Sequence, residues 1–214
     1  MTQEPLTRRR AQTRERLMDA ALALFAERGV LAASVEEICE RAGFTRGAFY
    51  SNFESKDELC LAVMRREAEN DLAAARTAIA TVPGGLSMAE LDAMIPRAVE
   101  IFMFGQRSEE AALALAELRL YGARTPAVRE AIASLSEEFG RVFVETFDGA
   151  LVQIGRQLSI PTGEAIELLN AVCSHAVISA RLHGRPTGFA GAKQLTALLR
   201  SLIVRSDDQV AGAG

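Results

Sequence analysis

The sequence predicts an all-α protein of about nine helices, with a small N-terminal helix-turn-helix domain followed by a larger helical one. Three observations carry that expectation. Composition is 49% hydrophobic and 24% charged with 6% aromatic residues, the balance of a globular chain with ample material for a core. Apolar residues recur at helical spacing over most of the 214 residues, while strand-like alternation is almost absent. Gly, Pro and Ser-x-x-Glu clusters fall between the periodic runs, where helices stop and start.

Taken in order, periodicity begins near Arg8. Leu17, Ala21, Leu24 and Phe25 form one apolar stripe with Met18 and Leu22 beside it, and Gly29 is a natural stop. Ser34-Val-Glu-Glu37 has the form of a capping box, in which serine and glutamate each satisfy an orphan backbone group. It opens a short helix that faces Val35, Ile38 and Ala42 inward and ends at Gly43. Thr45 can cap a second short helix that carries Ala48, Phe49 and Phe53. Ser55-Lys-Asp-Glu58 starts a long helix to about Ala80, and Pro83-Gly84-Gly85 breaks the chain. Ser87-Met-Ala-Glu90 opens a helix to about Phe104 in which Pro96 must kink or restart the backbone. Ser108 to Tyr121 is the next helix. Thr125-Pro126 then starts a long pattern to about Leu158, weakened by Gly140, Gly149 and Gly155. Two further helices follow, from about Thr162 to Leu182 and from about Phe189 to Val204. The expected domains are 1–54, 55–205 and a disordered tail at 206–214.

Charge and cysteine content narrow the function classes. The net charge of −4 is unevenly spread. Met1 to Lys56 holds nine basic against eight acidic residues, and Arg8, Arg9, Arg10, Arg14 and Arg16 crowd its start. A basic end on an acidic body suits a protein that meets phosphate at one place only. Cys39, Cys60 and Cys173 are odd in number and lack CxxC spacing, so they read as small buried hydrophobes. His175 and His183 complete no ligand set, so no metal or cofactor is expected. No signal-peptide pattern and no apolar run of membrane-spanning length is evident, which makes the cytoplasm the expected location.

The stretch Ser34 to Lys56 carries the functional reading. Two short helices joined by a glycine-containing turn make a helix-turn-helix, whose second helix enters the major groove. Thr45, Arg46 and Gly47 stand at the N-terminus of that helix, where side chains and N–H groups approach bases and phosphates. Arg46 suits guanine or a phosphate. Gly47 permits close approach, Tyr50, Ser51 and Asn52 supply outward hydrogen-bonding groups, and Lys56 suits a phosphate.

Thr-Arg-Gly-Ala-Phe-Tyr-x-x-Phe-x-x-Lys, preceded by Val-Glu-Glu-Ile-x-Glu-Arg-Ala-Gly, resembles the DNA-binding signature of the TetR family of bacterial repressors. The resemblance covers roughly Thr13 to Leu61, with Asn52 where a histidine is frequent. It implies that Ser34, Thr45, Arg46, Gly47, Tyr50 and Lys56 face DNA. It also implies a homodimer on a palindromic operator and a larger domain that binds an effector. Its last two long helices would pair with their counterparts, with Leu168, Val172, Ser179, Leu195, Leu199 and Leu202 at the interface. Phe102, Met103, Tyr121, Phe139, Phe143, Phe147 and His175 are candidates for an apolar ligand pocket, and a hydrophobic small molecule is the expected effector. Two other readings stay open: an all-α enzyme with an incidental helix-turn-helix, and a DNA binder without ligand control. No nucleophile–base pair or P-loop supports the first.

Overall fold

A computed structural model describes residues 4–104, 109–185 and 191–205. Among these, nine helices run in the order α1 (Glu4–Arg28), α2 (Val35–Ala42), α3 (Arg46–Tyr50), α4 (Lys56–Ala80), α5 (Met88–Phe104), α6 (Glu109–Arg124), α7 (Pro126–Gln153), α8 (Thr162–Leu182) and α9 (Ala192–Leu202). Two short strands, β1 (Arg156–Leu158) and β2 (Ile203–Arg205), complete the described elements. The chain divides into two compact units, Met1–Ala68 with Glu110–Leu135, and Glu69–Glu109 with Ser136–Gly214. The first therefore holds α6 and the start of α7 besides the helix-turn-helix.

Within the first unit the expected stripe of α1 is its core. Leu17, Ala21 and Phe25 are fully buried, and Ile38, Phe49, Phe53, Leu59, Val63 and Leu118 join them. Burying each large apolar side chain contributes about 1.5–3 kcal/mol, so three phenylalanines anchor the unit. Arginines of α1 brace the next helices. Arg16 donates to the Ala42 carbonyl at 2.8 Å, closing the C-terminal end of α2, and stacks 4.7 Å over Phe44. Arg14 donates to the Asn52 carbonyl and lies 4.1 Å over Phe53.

Within the second unit α5 and α9 pack through Leu91, Ile95, Val99 and Leu195, with Leu169, Val172 and Ile203 against them. The Ser87 capping box forms, with Ser87 N–H donating to Glu90 at 2.9 Å. Pro96 sits inside α5 without ending it. The all-α expectation holds, and two helix ends differ from their expected bounds. The seventh helix stops at Gln153, five residues earlier than expected, and the last helix stops at Leu202. Gly155 takes a left-handed φ of 66°, which lets the chain turn into β1. There Arg156 pairs with Arg205, Gln157 with Val204 and Leu158 with Ile203, antiparallel. Three-residue strands are too short to show alternation. The residues 206–214 and Phe189 lie outside the described residues.

One further expectation changes. Among the described residues α8 is, by length and composition, apolar enough to cross a membrane, although only 11% of its apolar window is buried.

Candidate functional site

The helix-turn-helix is built by local chemistry the sequence displays openly. Ser34 caps α2 in a complete capping box: its hydroxyl accepts from Glu37 N–H at 3.2 Å, and its own N–H donates to the Glu37 carboxylate at 2.9 Å. That N–H, the Ser34 hydroxyl and Arg28 hold the Glu37 carboxyl below the usual carboxylate range. Gly43 closes the helix at φ 70°, and its N–H bonds the Glu40 carbonyl. A side chain there would occupy the left-handed region and press on Arg16. Thr45 caps α3 by accepting from Ala48 N–H at 3.2 Å. Phe49 is fully buried beneath α3 and packs edge-on to Tyr50 at 5.2 Å. This fixes the outer face of α3.

On that outer face stand Thr45, Arg46, Gly47, Tyr50 and Ser51, all exposed. Gly47 has an ordinary φ, and a Cβ there would meet only Thr45 Oγ1, at a comfortable 3.7 Å. Nothing inside the chain requires glycine at that position. Arg46 donates to the Tyr50 hydroxyl at 3.5 Å and pairs with Glu36 at 2.5 Å. The Tyr50 hydrogen bond, then the Glu36 charge, raises its already high pKa.

Three of the expected contacts are placed differently. Asn52 is buried and turned inward, with Nδ2 donating to the Ala48 carbonyl at 2.8 Å and Oδ1 without a partner. The Ser34 hydroxyl is occupied in its cap. Lys56 is half-buried, and its ammonium donates to the carbonyls of Val30 at 2.9 Å and Ala33 at 3.1 Å. It clamps the connector between α1 and α2 and keeps one proton free. The Ser34 cap was legible in the sequence, whereas the inward roles of Asn52 and Lys56 were not, because their partners are backbone carbonyls that no residue type announces.

A second feature lies wholly in the Glu69–Glu109 and Ser136–Gly214 unit. A cavity of about 100 Å³ is lined by Ala75, Ala78, Ile79, Val82, Val99, Phe147, Leu169, Leu195 and Leu199. Every lining side chain is apolar. Of the residues singled out for a pocket, Phe147 lines it, whereas Phe139, Phe143 and His175 are not among its walls. Tyr121 belongs to the other unit, where its hydroxyl donates to Asp57 at 2.7 Å. Phe102 and Met103 lie outside the described side chains. Of the residues expected at a dimer interface, Leu195 and Leu202 are buried within their own chain, and Val172 and Leu199 pack against the α5–α9 core. Ser179 is half-buried and Leu168 is 46% exposed. No group of three or more His, Cys, Asp or Glu suited to a metal occurs among the described residues. The Cys60 thiol is pushed up to about 12 by burial, then by Asp57, and is no nucleophile.

Comparison with known proteins agrees with this geometry. The family model described as "Bacterial regulatory proteins, tetR family" matches residues 17–63. The HTH-type transcriptional activator FasR of Mycolicibacterium smegmatis is 40% identical over 72 residues, 34% of this chain and 33% of FasR. The HTH-type transcriptional repressor KstR2 of Rhodococcus jostii is 33% identical over 87 residues, 41% of this chain and 42% of KstR2. The chain thus matches less than half the length of either relative. The fold extends further. The solved structure of the fatty acid degradation regulator FadR from Bacillus halodurans superposes with a TM-score of 0.68 at 16% identity, covering 94% of this chain and 97% of that one.

Proposed function

We propose that this chain, whose residues 17–63 match the model of the tetR family of bacterial regulatory proteins, is a DNA-binding transcriptional regulator of that family. It acts as a homodimeric repressor that leaves a palindromic operator when a small apolar molecule fills its cavity. The observation that carries the DNA reading is the outer face of α3, where Thr45, Arg46, Gly47, Tyr50 and Ser51 stand exposed on a helix fixed from below by Phe49. Gly47 answers to no steric demand in the chain itself, so its absent side chain makes sense as room for a DNA backbone. Such a protein works beside the chromosome, in the cytoplasm.

Support for dimerisation comes from α8. Leu168, Ala171, His175, Ile178 and Leu182 are all exposed and recur at alternating three- and four-residue spacing, the seam of a helix that packs on a partner helix. One recognition helix makes few base contacts, whereas two related by a twofold axis read both halves of a palindrome. Support for an apolar effector is the wholly apolar wall of the cavity, which offers an ionised ligand nothing to replace its hydration. Helix α4 contributes Lys56–Ala68 to one unit and Glu69–Ala80 to the other, so a ligand that prefers one setting of α4 shifts the population on DNA.

Selection of bound fragments from the genome of the source bacterium tests the reading. A palindromic site should be enriched by the chain, and Arg46→Ala should erase the preference at one position of each half-site. Broad protection without a consensus would favour a nucleoid-type binder, and no enrichment at all would end the DNA reading.

A further inference from the structure

We infer that Glu36 is a specificity-determining residue of this DNA interface: its carboxylate holds Arg46 in a base-reading pose and keeps that guanidinium away from the phosphates. The inference rests on the DNA-binding reading above and adds a residue that the DNA-facing set did not include. Its observation is a juxtaposition across the turn. Glu36 Oε1, in the first turn of α2, lies 2.5 Å from Arg46 Nη1, at the first position of α3. Arg46 Nη2 reaches the Tyr50 hydroxyl at 3.5 Å, and the guanidinium carbon lies 5.7 Å from the Tyr50 ring centroid. The fork is therefore held by an acid from α2 on one side and by a phenol from its own helix on the other. Each terminal nitrogen still carries a second N–H to offer a base.

An acid at this place needs a reason. Its own charge opposes a polyanion, and both side chains are more than half exposed, Glu36 at 55% and Arg46 at 59%, so burial does not force the pair together. Helix capping does not require Glu36 either. Glu37 already closes the α2 box and pairs with Arg28 at 2.6 Å, and either acid alone would complement the helix dipole. The pair makes sense through what it does to Arg46. A free arginine on a DNA-facing helix swings to the nearest phosphate, a contact that positions the protein but carries no sequence information. An arginine clamped at one nitrogen loses that freedom before DNA arrives and presents its planar fork in one direction. The carboxylate also cancels one positive charge, which lowers attraction to any sequence and leaves discrimination to geometry.

The test compares the full chain with Glu36→Gln and Arg46→Ala. Selection from random duplexes gives the base preference at each position. Fluorescence anisotropy on one scrambled duplex over a salt series gives the background affinity, and circular dichroism gives the melting temperature. The position read by Arg46 is the one whose preference disappears in Arg46→Ala. In Glu36→Gln the preference at that position should fall about fivefold or more, with other positions unchanged. Binding to the scrambled duplex should tighten by about two- to fivefold, and its salt dependence should steepen by roughly 0.9 in log–log slope. An unchanged preference at that position overturns the inference. So does a uniform loss at all positions with a lowered melting temperature, the signature of a merely helix-stabilising acid. If the unaltered chain enriches no sequence, the DNA-binding reading fails first and takes this inference with it.

Discussion

Lys56 stands where a phosphate ligand is expected, yet two of its three ammonium protons are committed to the carbonyls of Val30 and Ala33. Those carbonyls belong to the connector that sets α2 against α1, and Val30 and Ala33 are themselves buried. A hydrogen bond from a charged donor is worth about 1.5–3 kcal/mol when its loss strands a buried acceptor. Lys56→Met keeps the aliphatic stem and removes only the donor. It should therefore lower stability in urea by about 1–3 kcal/mol while leaving the salt slope of DNA binding unchanged. A normal stability with a slope reduced by about one would instead make Lys56 a phosphate ligand. Asn52 teaches the same lesson in the opposite sense: its outward role is given up for a bond to the Ala48 carbonyl, with Oδ1 left unpartnered.

Among the helices, α6 is one whose place the sequence does not reveal. It packs in the unit that carries the helix-turn-helix, with Leu118 fully buried, Tyr121 bonded to Asp57 at the start of α4, and the Glu117 carboxylate against Gly29. The capping boxes at Ser34 and Ser87 were legible because their partners lie three residues apart. The docking of α6 was not, because Tyr121 and Asp57 are 64 residues apart and neither residue type announces the other. The β1–β2 pair was hidden for the same reason, since each strand is three residues of unremarkable sequence whose partner lies nearly fifty residues away. The tie between α6 and α4 can be measured. The hydrogen bond to Asp57, then burial, pushes the Tyr121 phenol up to about 12 from an ordinary value near 10. The folded state thus holds this proton more tightly than the unfolded chain does. The resulting stability is fully present below pH about 10 and is lost as pH rises towards about 12. Tyr121→Phe should lower the melting temperature at neutral pH and flatten its fall between those values. Because the chain has two tyrosines and no tryptophan, tyrosinate absorbance should also show one of two phenols titrating near 12 and vanishing in the variant.

At the scale of the whole molecule, the exposed seam of α8 is where the proposed dimer, and with it the reading of a palindrome, can be tested. Leu168 is 46% exposed, Ile178 41% and Leu182 78%, while the adjoining flank of the helix, at Leu169 and Val172, packs against the α5–α9 core. One helix therefore serves two apolar surfaces, which explains how it reaches the composition of a membrane span while only 11% of its window is buried. In the proposed dimer a second copy of the same helix, across a twofold axis, would cover the seam with itself, and Ala171 would allow the backbones to approach closely. Glutamate in place of Ile178 sets two like charges near that axis without touching the chain's own core. Ile178→Glu should weaken self-association by about 30-fold or more, the scale of a central interface position, and sedimentation should show monomer where the unaltered chain is dimeric. Melting of the monomeric variant should reflect only the lost association, and the outer face of α3 should remain intact. DNA binding should then fall to that of a single half-site, with the two halves of the palindrome protected independently. A dimer that survives Ile178→Glu would place the interface elsewhere, and α8 would have to be covered by a different partner.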